Sequence, residues 1–248
     1  MTRYSTPSIH KCPGCPAFFL RPRLRSFNFY GAKDWSDAKP STWWRQEPRV
    51  RCNACAALVW REAVETVGIM PNKPKTIGRL ARALLHWRGY PEGHVRAEEN
   101  WSQAVWSWGS ARYIGSVNFE DVQYVLARSK GISADRLLWL RSRIWWGLND
   151  RFRSRSDGSP LPDVSSWPVA VERTNMEVLL DMLRNCKVQS WHMIQQGELL
   201  RLPGRFDEAV AVLNAVPADG HSEVSAVKIE RLARRGDTRV RELSVPRR

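Results

Sequence analysis

Apolar positions recur at helical spacing through most of the chain beyond residue 75, and not before it. Thr76 caps a predicted helix with Ile77, Leu80, Leu84 and Leu85 on one face, and Gly89 ends it. A weaker pattern over residues 95–108 uses Val95, Trp101, Val105 and Trp108. Asn118 is placed as an N-cap ahead of Glu120, Asp121, Val122, Val125 and Leu126, with Gly131 as the stop. Ser133 caps the most strongly periodic helix, which carries Leu137, Leu140, Ile144, Trp145 and Leu148. Met176, Leu179, Leu180 and Leu183 predict another helix over residues 175–188, with Cys186 on its apolar face as a buried, inert thiol. Pro71-Asn72-Lys73-Pro74 reads as a linker, and so do residues 153–168 with their Ser, Asp, Gly and three prolines.

Composition narrows the class. The chain has 248 residues, 43% hydrophobic and 26% charged, which fits a globular protein and excludes a disordered one. No apolar run approaches the 20 or so residues of a membrane-spanning helix, and Met1 to Lys11 contains no apolar signal core. A cytoplasmic protein without a membrane partner is the expectation. The formal charge is +14, and it is uneven: residues 1–60 carry +7 and residues 121–160 carry +4, while residues 161–248 carry only +1.

Four of the five cysteines form two C-x-x-C pairs, Cys12/Cys15 and Cys52/Cys55, with 36 residues between them. Two residues between cysteines let one tight turn aim both sulfurs at one ion, and two such turns complete a tetrahedral shell. In a reducing compartment thiolates favour metal over disulfide. The expected cofactor is one structural Zn2+ held by Cys12, Cys15, Cys52 and Cys55, with no open position for substrate. Two disulfides or two redox motifs are the alternatives. His10 stands near enough to substitute as a ligand, but four cysteines make that unnecessary, and it reads as an exposed imidazole.

Residues 12–60 resemble the zinc ribbon of a broad group of bacterial proteins of uncharacterised activity. The resemblance lies in Cys12-Pro13-Gly14-Cys15, in the stretch Asn28-Phe29-Tyr30-Gly31-Ala32-Lys33-Asp34-Trp35-Ser36-Asp37, and in Cys52-Asn53-Ala54-Cys55 followed by Trp60. The group's glycine after a knuckle is replaced here by Pro16 and Ala56. The stretch from Arg141 to Arg151, with Trp145-Trp146 and Asn149-Asp150, resembles the same group. Residues 190–223 resemble a tetratricopeptide unit, with Gly197, Leu200, Gly204, Phe206, Ala209 and Leu213 at its packing and turn positions and Pro203 ending the first helix early. The helices over 175–188 and Ser222 to Arg235 would flank it.

The resulting fold class is mainly α: a small N-terminal zinc-ribbon β lobe followed by an all-helical, tetratricopeptide-like body. The expected division is a ribbon with an aromatic insert over residues 1–70, a helical region over 71–152, a linker over 153–168 and a helical region over 169–248. Phe27, Phe29, Trp35, Trp43 and Trp44 would cover the metal site.

No H-E-x-x-H, G-x-S-x-G or phosphate-loop motif occurs, and His86 and His192 fall within predicted helices without a catalytic neighbour. A non-enzymatic protein that binds another protein is the leading expectation. Nucleic-acid binding is the alternative, through Arg21, Arg23 and Arg25 of the ribbon and through Arg136, Arg143 and Arg151 within the Arg136 to Arg155 block. If those arginines pair with Asp34, Asp37 or Asp150 instead, that alternative weakens.

Overall fold

The computed structural model describes residues 3–26, 34–39, 49–74, 89, 92–113, 119–128, 131–153, 169–187, 189–218 and 220–243. The expected helix from Thr76, with His86, lies outside these residues. So do Phe27, Phe29, Trp43, Trp44, Asn118 and most of the 153–168 linker. The chain forms two compact units, Met1–Phe29 with Glu47–Val117, and Tyr30–Gln46 with Asn118–Arg248.

The first unit is built on a sheet. β1 (Arg3–Lys11) pairs antiparallel with β2 (Phe18–Ser26), and β3 (Arg49–Arg51) with β4 (Leu58–Trp60). β5 (Glu65–Ile69) returns to the open edge of β1, and the two-residue β6 (Arg112–Tyr113) lies parallel to β2, giving the order β5-β1-β2-β6. β3 and β4 form a separate two-stranded sheet. Ile9 on β1 and Phe19 on β2 are the buried apolar anchors of the four-stranded sheet. α1 (Glu92–Trp108) closes with Trp108 set edge-on to Phe18, ring centroids 4.8 Å apart.

The second unit is helical. α2 (Phe119–Arg128), α3 (Ala134–Asn149), α4 (Val169–Asn185), α5 (Ser190–Arg201), α6 (Phe206–Asn214) and α7 (His221–Arg234) follow in order. The periodic residues Leu140, Ile144, Trp145 and Leu148 of α3 are buried as expected. Trp145 and Trp146 join Leu179, Leu180, Leu183, Leu199 and Leu200 in one core, and Ile194, Leu213, Ala226, Ile229 and Leu243 form a second. α5 is the central helix, buried continuously from Ile194 to Arg201.

Three readings of the sequence change. Residues 71–117 belong with the ribbon rather than with the helices, because α1 packs on the sheet through Trp108. Residues 30–46 leave the ribbon for the helical unit. Cys186 lies one residue beyond the end of α4, half-buried, with its thiol directed at the Leu183 carbonyl.

The turn between α5 and α6 follows from Pro203 and Gly204. The helix stops at Arg201, and Gly204 takes φ +88°, a left-handed conformation that costs glycine little. Gly197 lets the two helices approach. A Cβ built there falls 2.5 Å from Leu213 Cγ. Gly197→Ala is therefore expected to lose about 1–2 kcal/mol by urea denaturation, overpacking outweighing the helix-propensity gain of about 1 kcal/mol. In a Leu213→Ala background the same change should cost nothing further.

Candidate metal centre

Each cysteine pair sits in the loop of a hairpin, and the two loops are built alike. Cys12-Pro13-Gly14-Cys15-Pro16-Ala17 joins β1 to β2, and Cys52-Asn53-Ala54-Cys55-Ala56-Ala57 joins β3 to β4. Cys12 N–H donates to the Ala17 carbonyl at 3.0 Å, and Cys52 N–H to that of Ala57 at 2.9 Å. The loops differ where their sequences differ. Ala56 N–H bonds the Cys52 carbonyl at 2.8 Å, a bond that Pro16 has no N–H to make.

Ala56 takes φ +57°, the left-handed region in which a Cβ is strained. A glycine would adopt this conformation at little cost. Ala56→Gly is expected to stabilise the ribbon by about 1 kcal/mol, read as a rise in thermal midpoint without change in metal content.

The four sulfurs lie within 4.8 Å of one another. Cys12 and Cys55 sulfurs are 3.8 Å apart, and so are those of Cys15 and Cys52. A tetrahedron with metal–sulfur bonds of about 2.3 Å has edges of about 3.8 Å, so both cross-loop pairs already have the spacing of a closed shell. Cys12 and Cys52 are buried, Cys15 half-buried and Cys55 exposed. Phe19, Ala17, Val59 and Val64 pack around the cluster.

The electrostatics call for a cation. Burial pushes the Cys12 thiol up, against a Gly14 N–H that donates to its sulfur at 3.4 Å. An Ala17 N–H favours the Cys15 thiolate, but burial and the three neighbouring sulfurs outweigh it and push that thiol up to about 12. Cys52 is the opposite case: burial raises it, and the N–H groups of Cys55 and Ala54 bring it down to about 7. Close sulfurs cannot all ionise alone, because each new charge repels the last. A divalent ion at the centre would reverse that balance and hold all four as thiolates.

His10 is not the exposed imidazole expected from the sequence, being only 5% exposed. It lies on the central strand, opposite Phe19 of β2 on one side and Thr66 of β5 on the other. Its ring stacks on Phe19, with Nε2 2.8 Å from Ser8 Oγ and Nδ1 3.3 Å from Thr66 Oγ1. Burial first, and the Arg61 charge second, keep its pKa low. Both ring nitrogens are engaged, so His10 braces the strand that delivers Cys12 and adds no ligand.

Of the aromatic insert between the two cysteine loops, Phe27, Phe29, Trp43 and Trp44 lie outside the described residues, and Trp35 bridges to Glu242. Residues 34–39 dock in the helical unit. Asp34 and Ser36 pair with the C-terminal segment, Leu243 N–H to the Asp34 carbonyl at 2.7 Å and Ser36 N–H to that of Arg241 at 2.8 Å. Asp37 is fully buried. One of its oxygens accepts from Arg153 Nη2 and, at 2.9 Å, from Asn149 Nδ2, while Trp146 Nε1 donates to its carbonyl at 3.1 Å. Lys39 pairs with Asp150 at 2.5 Å, and Arg153 also bonds Asp150 and the Trp146 carbonyl. The Ser36 hydroxyl donates to Glu198, whose two oxygens receive Arg201 at 2.7 Å each. Arg201 also holds the carbonyls of Asp237 and Arg239. Burial raises the Glu198 pKa against the opposing pull of Arg201.

Residues 34–39 and the end of α3 thus meet in one buried, charge-paired network. Arg153, read from sequence as the start of a linker, is one of its centres. Glu198 and Arg201 escaped the sequence reading, because two charges three apart beside Gln195 and Gln196 have the pattern of a solvated helix face.

The candidate contact arginines separate. Arg143 is buried, and Arg151 donates to both Glu172 oxygens at 2.8 and 3.0 Å. Arg21 is half-buried on β2 and Arg136 half-buried on α3, while the side chains of Arg23 and Arg25 lie outside the described residues.

Comparison of the chain with family models, with curated proteins and with solved structures finds no match. No described helix is long and apolar enough to cross a membrane.

Proposed function

We propose that the cysteine centre holds one structural zinc ion and that the protein is a non-enzymatic binding protein whose partner is another protein. The 3.8 Å cross-loop sulfur spacing carries the zinc reading, since a closed tetrathiolate shell of this size suits a d10 ion with no open position for chemistry. Zinc would be held by Cys12, Cys15, Cys52 and Cys55, and would tie the two hairpin loops together.

The partner class rests on Trp106. It is 90% exposed on α1, beside the exposed Val105. Exposed tryptophan is the side chain that anchors protein interfaces. The same helix carries Glu92, Glu98 and Glu99 against Arg96, a charge that repels phosphates. The burial of Arg143 and the surface pairing of Arg151 with Glu172 also favour protein over nucleic acid. The tetratricopeptide-like reading of α5 to α7 draws support from the close approach at Gly197 and the buried Ala209.

The test combines metal analysis with binding. About one zinc per chain is expected, and Trp106→Ala should abolish retention of a protein captured by the intact chain while leaving zinc content unchanged. Retention of single-stranded nucleic acid at low salt, unaffected by Trp106→Ala, would replace this reading with the nucleic-acid one.

A further inference from the structure

We propose that Cys55 is the reactive sulfur of the metal centre, the residue through which a peroxide-class oxidant opens it. This rests on the reading of the four cysteines as a metal site. Cys55 is the exposed member of the set, whereas Cys12 and Cys52 are buried and Cys15 is half-buried. The other three residues are shielded to a greater degree, and the Gly14 N–H also donates to the Cys12 sulfur at 3.4 Å. The Cys55 sulfur lies 3.8 Å from that of Cys12. Cys55 is thus the most exposed residue of the four with a partner sulfur at hand, and oxidation follows access.

The chemistry closes on neighbouring atoms. The Cys55 thiolate attacks one oxygen of hydrogen peroxide. An S–O bond forms, the O–O bond breaks, hydroxide leaves and Cys55 becomes a sulfenic acid. The Cys12 thiolate then attacks the Cys55 sulfur. An S–S bond forms, the S–O bond breaks and a second hydroxide leaves. Both hydroxides take protons from solvent. Two thiolates have lost two electrons and the peroxide has gained them. The ion loses two of its four ligands, and Cys15 and Cys52 alone do not retain it. The resulting link, Cys12 to Cys55, joins the two loops.

The experiment treats zinc-loaded full-length protein with one equivalent of hydrogen peroxide. Zinc release is followed with a chromogenic chelator, and the cysteines are mapped by mass spectrometry with and without a sulfenic-acid trap. The trap should label Cys55 first, and without it the Cys12–Cys55 link should dominate. Cys55→His keeps four donors and should release zinc about tenfold more slowly. First labelling at another cysteine, a dominant Cys52–Cys55 link, or release from Cys55→His at the original rate would each overturn the proposal. Should Cys55→His fail to fold, limiting N-ethylmaleimide on the unaltered protein decides: first alkylation at Cys55 supports the proposal and first alkylation elsewhere overturns it. A protein that takes up no zinc at the outset defeats the zinc reading and this one with it, whereas zinc uptake with the wrong order of labelling defeats this one alone.

Discussion

Asp37→Ala should destabilise the helical unit by about 3–5 kcal/mol, read from urea denaturation followed by far-ultraviolet circular dichroism. The size of the effect comes from what is left behind. Arg153 is buried beside Asp37, and among the described residues its guanidinium would keep Asp150, a backbone carbonyl and the face of the Trp35 ring. Asn149 Nδ2 and the Trp146 indole lie against the same residue, the first bonded to its side chain and the second to its backbone. Alanine keeps the backbone acceptor and removes the carboxylate, so the loss is that of a buried charge stripped of its counter-charge. Asp37→Leu combined with Arg153→Met should recover most of the stability, because removing both charges also removes the cost of burying either. A small effect of Asp37→Ala would mean that water reaches Arg153, and that residues 34–39 are held chiefly by their backbone pairing with residues 241–243.

The same residues show what the sequence could and could not convey. The α3 helix was legible because its apolar positions repeat at the helical period over four turns. The cysteine centre was legible because its spacing is a local turn requirement. The destination of residues 30–46 was not legible, since nothing local distinguishes an insert that folds over its own ribbon from one that docks on a helix bundle. What decides it is the pairing of Asp37 with Arg153 and of Ser36 with Glu198, across more than 100 residues of chain. Long-range ion pairs leave no period in a sequence. α5 was predicted as a helix, yet its burial on every side was hidden by Gln195, Gln196, Glu198 and Arg201, which look like a solvated face. His10 failed for a related reason: its burial depends on β5, which arrives from more than 50 residues away.

Removing the proposed zinc should act on one place rather than on the whole chain. β3 and β4 are three residues each and, among the described residues, share no ladder with the four-stranded sheet. A hairpin of that size has no stability of its own in water. The sulfur cluster, with Val59 and Val64 beside Phe19, attaches it to the four-stranded sheet. Zinc binding in small tetrahedral sites contributes roughly 10–16 kcal/mol to folding, and even a third of that exceeds what two half-buried valines supply. Chelation, or Cys52→Ser, is therefore expected to strip hydrogen-exchange protection from Cys52 to Trp60 and from the Cys12 to Ala17 loop. The β1–β2–β5 sheet should lose less, because its own ladders and the buried Ile9 remain. Helices α3 and α5, whose cores contain no cysteine ligand, should keep their protection. Uniform loss of protection through both units would show that the ion holds more than the ribbon. Unchanged protection at Cys52 to Trp60 would show that the apolar contacts suffice, and the centre would then be dispensable for the fold it completes.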